Sequence, residues 1–196
     1  TGVIIITTKR GQTGKPKINF NTQFSVAKIA NKVDVLSADQ FRSYVKANGT
    51  TAQSDLLGNA NTDWQDEIYQ TAITSDNNLS VSGAFNKKTP YRFSVGFLSQ
   101  EGILRTGKLQ RGSVAFNMNP RFFNNNLKVD FNIRASQTAN RFANTGAIGA
   151  AATYDPTQPV YSNSPRYNGF YEWLDPTTLT GLSLIHISEP TRRRGI

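Results

Sequence analysis

The side chains most able to do chemistry sit together at one end of the chain, in GLSLIHISEPTRRRGI (Gly181–Ile196). That stretch holds the sequence's one histidine, His186, and its one run of three like charges, Arg192–Arg194. An imidazole that titrates near neutral pH is a natural general base or metal ligand. Here it has no second histidine and no thiol to work with, because the chain has one His and no Cys. No Ser-His-Asp set can be assembled without His186, and no G-x-S-x-G elbow is present. The densest carboxylate group is Asp63, Asp66 and Glu67. It could hold a cation or act as an acid/base pair, but acidic residues in a first helical turn are favoured by the helix dipole, and that is the reading expected here. GQTGK (Gly11–Lys15) has two residues between its glycines and Pro16 after its lysine. A phosphate loop needs four, then Ser or Thr. These residues predict no catalytic group, no metal site and no cofactor, so the chain is not expected to be an enzyme.

Binding chemistry has better material. Between residues 139 and 180 lie Tyr154, Tyr161, Tyr167, Tyr171 and Trp173, stiffened by Pro156, Pro159, Pro165 and Pro176. Aromatic rings on stiff loops can stack on sugar faces or meet a protein partner. They can equally form an interfacial girdle with ordinary loop packing. These five are the candidate substrate-binding residues.

The elements that must carry these loops read as strands. Phe (12) and Tyr (7) dominate the large side chains, charged residues are 18 %, and Asn, Thr, Ser and Gln replace them. Ile18, Phe20, Phe24 and Val26 alternate with Asn19, Asn21, Gln23 and Ser25. The same period of two recurs four more times, predicting strands near 17–28, 78–86, 90–99, 110–120 and 126–137. Each has a Phe-rich face and a hydrophilic face. In a soluble sandwich the apolar faces of two sheets meet. In an outer-membrane barrel they meet lipid, and the polar faces line a wet lumen. Alternation alone allows both. Segment lengths near the ~9–11 residues of a tilted membrane strand favour the barrel. So does the alternation of short polar turns (NKKTP, RFFNNN) with long connections, including a long loop over 138–180. Two short helices are expected in the first long connection. One is capped by Ser37 with Gln40, the other by Thr62 with Gln65, with Trp64 over Ile68. VIIITT (Val3–Thr8) predicts a fully buried strand.

The formal net charge is +9; the three arginines and Glu189 of the last sixteen residues account for +2, so +7 lies before Gly181. The remaining basic residues are scattered and accompany no basic helix or RNA-binding aromatic motif, so no nucleic-acid partner is expected. No apolar run nears the ~20 residues of a membrane helix. Thr1 opens the chain without Met or a leader, as in a processed chain or a fragment.

Several stretches together resemble one family. GVIIITTKRG, with Gly2, Val3, Ile4, Ile5, Ile6, Thr7, Thr8 and Lys9, resembles the plug-end motif of SusC/RagA-type TonB-linked outer-membrane transporters. TDWQDEIYQTA (Thr62–Ala72), NLSVSGA (Asn78–Ala84), YRFSVGFLSQEGIL (Tyr91–Leu104) and YDPTQPVY (Tyr154–Tyr161) resemble that family's early barrel, in the same order. Gly83-Ala84 stands where Gly-Gly is more usual. The resemblance implies an all-β fold: a fragment of a transmembrane antiparallel β-barrel, with the last plug strand and two short helices in a long loop. Residues 1–11 would end the plug, and 12–180 would be the N-terminal part of the barrel. A whole family member has about 22 strands around a plugged lumen. It also implies location in the bacterial outer membrane and contact with its lipid. The family's partners would be TonB, a SusD-like surface lipoprotein and an oligosaccharide or peptide substrate. Most of the plug, any TonB box and most barrel strands lie outside this sequence, so the chain alone is not expected to transport. The second reading of the same alternation is a surface or soluble β-rich glycan-binding module. LSLIHISEPTR (Leu182–Arg192) resembles an in-frame translated sequencing-library adapter, which assigns residues 181–196 to an adapter-derived artefact.

Overall fold

In the computed structural model of the protein, residues 2–4, 9–12, 14–86, 89–162, 169–174 and 181–182 are described. Two compact units emerge, and each is described by itself. The first comprises Thr1–Val26, Ile73–Gln100 and Leu109–Asn140.

The alternating segments of that unit become long strands. β1 (Lys17–Ala27), β2 (Ala72–Phe85), β3 (Thr89–Glu101) and β4 (Lys108–Met118) are followed by two short strands, β5 (Arg121–Phe122) and β6 (Leu127–Lys128), and then by β7 (Phe131–Arg141). The five long strands form one sheet in the order β1-β2-β3-β4-β7. β2 and β3 pair antiparallel from Thr74 opposite Gln100 to Phe85 opposite Thr89. Their joining turn contains Asn86 at φ 49°. The β5–β6 turn holds Phe123, Asn124 and Asn125 at φ 51°, 52° and 74°. Asparagine tolerates the left-handed region better than most residues, which suits Asn124 and Asn125 to this turn.

The register separates the two faces. Leu79 lies opposite Val95 and Val81 opposite Phe93, while Ser80 faces Ser94 and Ser82 faces Arg92. In β2 and β3 burial then runs opposite to a water-soluble sheet, while β1 and β7 are exposed along both faces. Phe20 and Phe24 are 66 % and 69 % exposed, and Phe93, Val95, Phe97 and Ile133 are exposed as well. The buried positions at the centre of β2 and β3 are Ser80, Ser82, Gly83 and Gly96. A soluble glycan-binding module needs two apolar faces packed together. Here there is one layer, and its apolar face is left open among the described residues, so that reading is not supported. An alternating strand with this exposure suits lipid outside and water inside.

Several boundaries differ from expectation. β2 begins at Ala72 rather than 78, through a polar start (Thr74–Asn78) that hides the alternation. The fifth long strand begins at Phe131 rather than 126, because Leu127 and Lys128 are taken into a hairpin with Phe122 and Arg121. It runs on to Arg141, so the long loop starts later than residue 138. Gly2–Ile4 form no strand, and Val3 and Ile4 are 84 % and 90 % exposed. A buried strand needs ladder partners and cover, and nothing lies within 4 Å of where a Gly2 Cβ would stand. Ile5, Ile6, Thr7 and Thr8 lie outside the described residues, as do Tyr167 and residues 183–196 with His186.

The second unit comprises Ala27–Ala72, Glu101–Lys108 and Arg141–Ile196. Among its described residues are four helices, α1 (Ala38–Asn48), α2 (Thr51–Asp55), α3 (Trp64–Ile68) and α4 (Gly146–Thr153), and a short pair, β8 (Trp173–Leu174) with β9 (Gly181–Leu182). α1 starts as the sequence predicts. Gln40 N donates to Ser37 Oγ (3.3 Å) and Ser37 N donates to Gln40 Oε1 (2.9 Å). α3 is capped one residue later than expected, by Asp63. Its Oδ1 accepts from the backbone N–H of Gln65 and Asp66. Thr62 is unavailable as the cap because its hydroxyl donates to the Gln158 carbonyl at 2.6 Å. α2 and α4 are additional to the two expected helices. α2 repeats the capping box with Thr50 and Gln53. α4 packs Ala147 and Ala151 on Ile68, ringed by Trp64, Tyr69 and Leu104.

Candidate functional site

Two regions are the candidates for binding. The first is an interlock in the second unit, where residues 56–64 meet residues 154–158. Thr157 is 0 % exposed and Gln158 is 4 % exposed. Polar side chains are buried at such depth only when hydrogen-bonded, and these are. Thr157 Oγ1 accepts from Gly58 N (2.9 Å), and its carbonyl accepts from Ala60 N (3.0 Å). Gln158 Nε2 donates to Leu56 O (3.0 Å) and Asp155 Oδ2 (3.2 Å). The Trp64 indole donates to Asp155 O (2.9 Å), and its ring meets Tyr154 edge-on at 4.9 Å. The motifs TDWQDEIYQ and YDPTQP are therefore two halves of one structure.

A third strip joins them. Tyr69 bridges Leu104 antiparallel, Gln70 N donates to Ile103 O, and Arg105 N donates to Ile68 O. Gly102 N donates to Gly107 O, closing the QEGIL turn. On the other side, Gln65 holds Val33 by both backbone groups, accepting from its N–H (2.9 Å) and donating to its carbonyl (2.7 Å). Lys32 Nζ pairs with Asp63 Oδ2 at 3.0 Å and with Asp66. The carboxylate group of the sequence is thus a helix start with its own counter-ion. The hydrogen bonds to Asp66 and Asp63 raise the Lys32 pKa above its usual 10.5. Burial pushes Asp63 up, but the Lys32 hydrogen bond and the backbone N–H groups of α3 outweigh it, leaving the carboxyl below its usual 3.8.

The candidate aromatics do not all share one setting. Tyr154 is half-buried against Trp64. Tyr161 is 68 % exposed and stacks on Phe170 at 5.1 Å, where the two residues also form a β-bridge. Tyr171 is half-buried, and burial together with the Asp155 charge pushes its phenol above 10.0. Trp173 lies in β8, paired with Leu182. Thr157 and Gln158, the best-buried polar residues here, escape a reading of the sequence, since polar residues between prolines look like open loop. A hollow of about 580 Å³ opens beside this interlock, with Phe41, Trp64 and Tyr154 among its walls.

The second region is the hydrophilic face of the sheet. A hollow of about 670 Å³ lies there, walled by Lys9, Arg10, Lys17 and Arg92 and by asparagines and serines of β1–β3. Arg92 Nη2 donates to Ser80 Oγ at 2.9 Å. Of the plug-end motif, Lys9 lines this hollow, whereas Gly2, Val3 and Ile4 stand in solvent. The segment crosses the sheet closely: a Cβ on Gly11 would lie 2.5 Å from Tyr91 backbone atoms, so only glycine passes there.

One antiparallel layer, with an apolar face open and a hydrophilic face hollowed, is the wall of a transmembrane β-barrel. No family model matches the chain. It is 42 % identical over 90 % of its length to the TonB-dependent receptor SusC of Bacteroides thetaiotaomicron, and 32 % identical over 84 % to the TonB-dependent receptor P3 of Formosa agariphila. The RagAB peptide transporter matches with a TM-score of 0.57 over 68 % of the chain at 25 % identity. The RagAB importer in its closed-closed state gives 0.57 over 70 % at 23 %. The chain belongs to the SusC/RagA-type TonB-dependent receptors of the bacterial outer membrane. It spans 18 % and 16 % of the two receptors' lengths and 19 % of each solved chain.

Proposed function

We propose that the chain forms the end of the plug (residues 1–11) and the first strands of the barrel wall (residues 12–180) of an importer for oligosaccharides or peptides. In this reading TonB drives the import and a SusD-like lipoprotein covers the outer mouth. No catalytic step is assigned to it. Tyr154, Tyr161, Tyr167, Tyr171 and Trp173 are the candidate residues for meeting substrate or partner, with the loop interlock as the scaffold beside Tyr154, and residues 181–196 are adapter-derived. The observation that carries the reading is the reversed burial at the centre of β2 and β3, with Phe93, Val95 and Phe97 open and Ser80 and Ser82 covered. Such a surface needs lipid on the outside. The chain is to be expressed behind a signal sequence and the membranes fractionated. Recovery from the detergent-solubilised outer membrane is expected. A folded monomer in detergent-free buffer would overturn the proposal.

A further inference from the structure

α3 is five residues long. A helix of that length does not persist alone in water, so its neighbours must hold it. They come from three separate connections of the chain. α3 itself lies in the first, residues 28–71, between β1 and β2. The second is residues 102–107, between β3 and β4, and the third begins at residue 142, after β7. Ile68 meets both of the others. Its carbonyl accepts from Arg105 N at 2.9 Å, and its side chain, 8 % exposed, packs on Ala147 and Ala151 of α4. One turn earlier Trp64 donates to Asp155 O and meets the Tyr154 ring. Just past the helix, Gln70 grips the second connection twice, through N to Ile103 O (2.8 Å) and through Nε2 to Gly102 O (3.0 Å). Just before it, Thr62 N donates to Pro156 O at 2.9 Å. Arg42 of α1 braces the same strip, donating from Nε to Gly58 O (3.0 Å) and from Nη2 to Ala60 O. The apolar cluster shared by these seams is small, with Ile68, Ala147 and Ala151 its buried members among the described residues. No seam therefore has a core of its own, and each depends on α3 being formed.

We infer that α3 couples the three connections into one cooperative clamp, which opens and closes as a whole. Losing one seam melts the helix, and the melted helix releases the others. Whatever grips one connection thereby stabilises all three. The clamp is a property of these contacts and holds whichever substrate an importer built on them carries.

Native-state hydrogen exchange on the full chain in detergent, at rising urea below global unfolding, tests the coupling. Four amides report the seams: Ala60 and Thr62 toward the third connection, Gln70 and Arg105 toward the second. They are expected to merge into one opening isotherm. Thr157→Val, in the third connection, should speed exchange about tenfold at Gln70 and Arg105 as well as at Ala60. Gln70→Ala should act in return, speeding Ala60 and Thr62 about threefold, and it carries the test if Thr157→Val does not fold. Lys46→Gln on α1 and the amides of the β2–β3 ladder should show no change. Effects confined to the mutated seam would overturn the clamp, and so would an equal effect on the ladder, since the opening would then be global. Either result leaves the outer-membrane reading to its own fractionation test.

Discussion

The sheet and the loop interlock solve the same problem in opposite ways. The sheet leaves Phe20, Phe24, Phe93 and Phe97 open and covers Ser80 and Ser82. The interlock covers Thr157, Gln158 and Gln65 and pairs each with backbone groups. In the sheet the missing stabilisation is burial of apolar surface, worth roughly 25 cal/mol per Å², and lipid is the medium that supplies it. In the interlock, little apolar area is buried and the hydrogen bonds are internal. The difference teaches that "inside" is defined by the solvent each region meets: a strand that looks inverted in water is ordinary in a bilayer.

The largest effect is expected where that difference is attacked directly. Val95→Arg puts a charge on the apolar face and should cost about 2–4 kcal/mol of folding stability in bilayers. Ser94→Arg, one residue away on the hydrophilic face, should cost under about 0.5 kcal/mol. Urea unfolding in vesicles reads both, and similar costs would erase the distinction between the faces. Next comes Thr157→Val, which removes the acceptor of the Gly58 N–H and leaves a buried donor unpaired. It should cost the interlock about 1–3 kcal/mol, seen as faster amide exchange at Gly58 and Ala60 with the strands unchanged. Ser37→Ala removes the α1 cap and should cost about 1 kcal/mol, limited to α1 amide protection.

The smallest effect concerns the Lys32–Asp63 clip. Asp63 titrates below its usual 3.8, so its contribution is complete above that value and disappears as the pH falls through the lowered pKa. Lys32 titrates above 10.5, so its contribution is complete below that value and disappears as the pH rises through the raised pKa. Val33 amide protection should therefore be flat between about pH 4 and 10 and fall outside that window. Protection that varies across neutral pH would show that the clip does not hold Val33.

Much of this was legible in the residues. Period-two alternation located all five long strands, because a sheet with two different media on its faces writes that difference into every second position. The Ser37–Gln40 box placed α1 for an equally local reason. The failures are tertiary. GAIGAAAT reads as linker, since Gly146 and Gly149 weaken a helix, yet Ala147 and Ala151 find Ile68 and the helix forms on that contact. Thr62 has the spacing of a cap, but its hydroxyl is claimed by a carbonyl 96 residues further along the chain. Of the candidate aromatics, Tyr154 is engaged with Trp64, a pairing that no local pattern announces.

That separation has a kinetic meaning. The two halves of the interlock lie 91 to 102 residues apart in their side-chain hydrogen bonds. Closing such a loop costs about 2 kcal/mol more chain entropy than closing one of ten residues. The β2–β3 hairpin, by contrast, closes over a handful of residues. Local hairpins therefore form early and the interlock closes late. Until it does, the 56–64 and 154–158 segments stay open to proteases and chaperones, so their protection times the completion of folding.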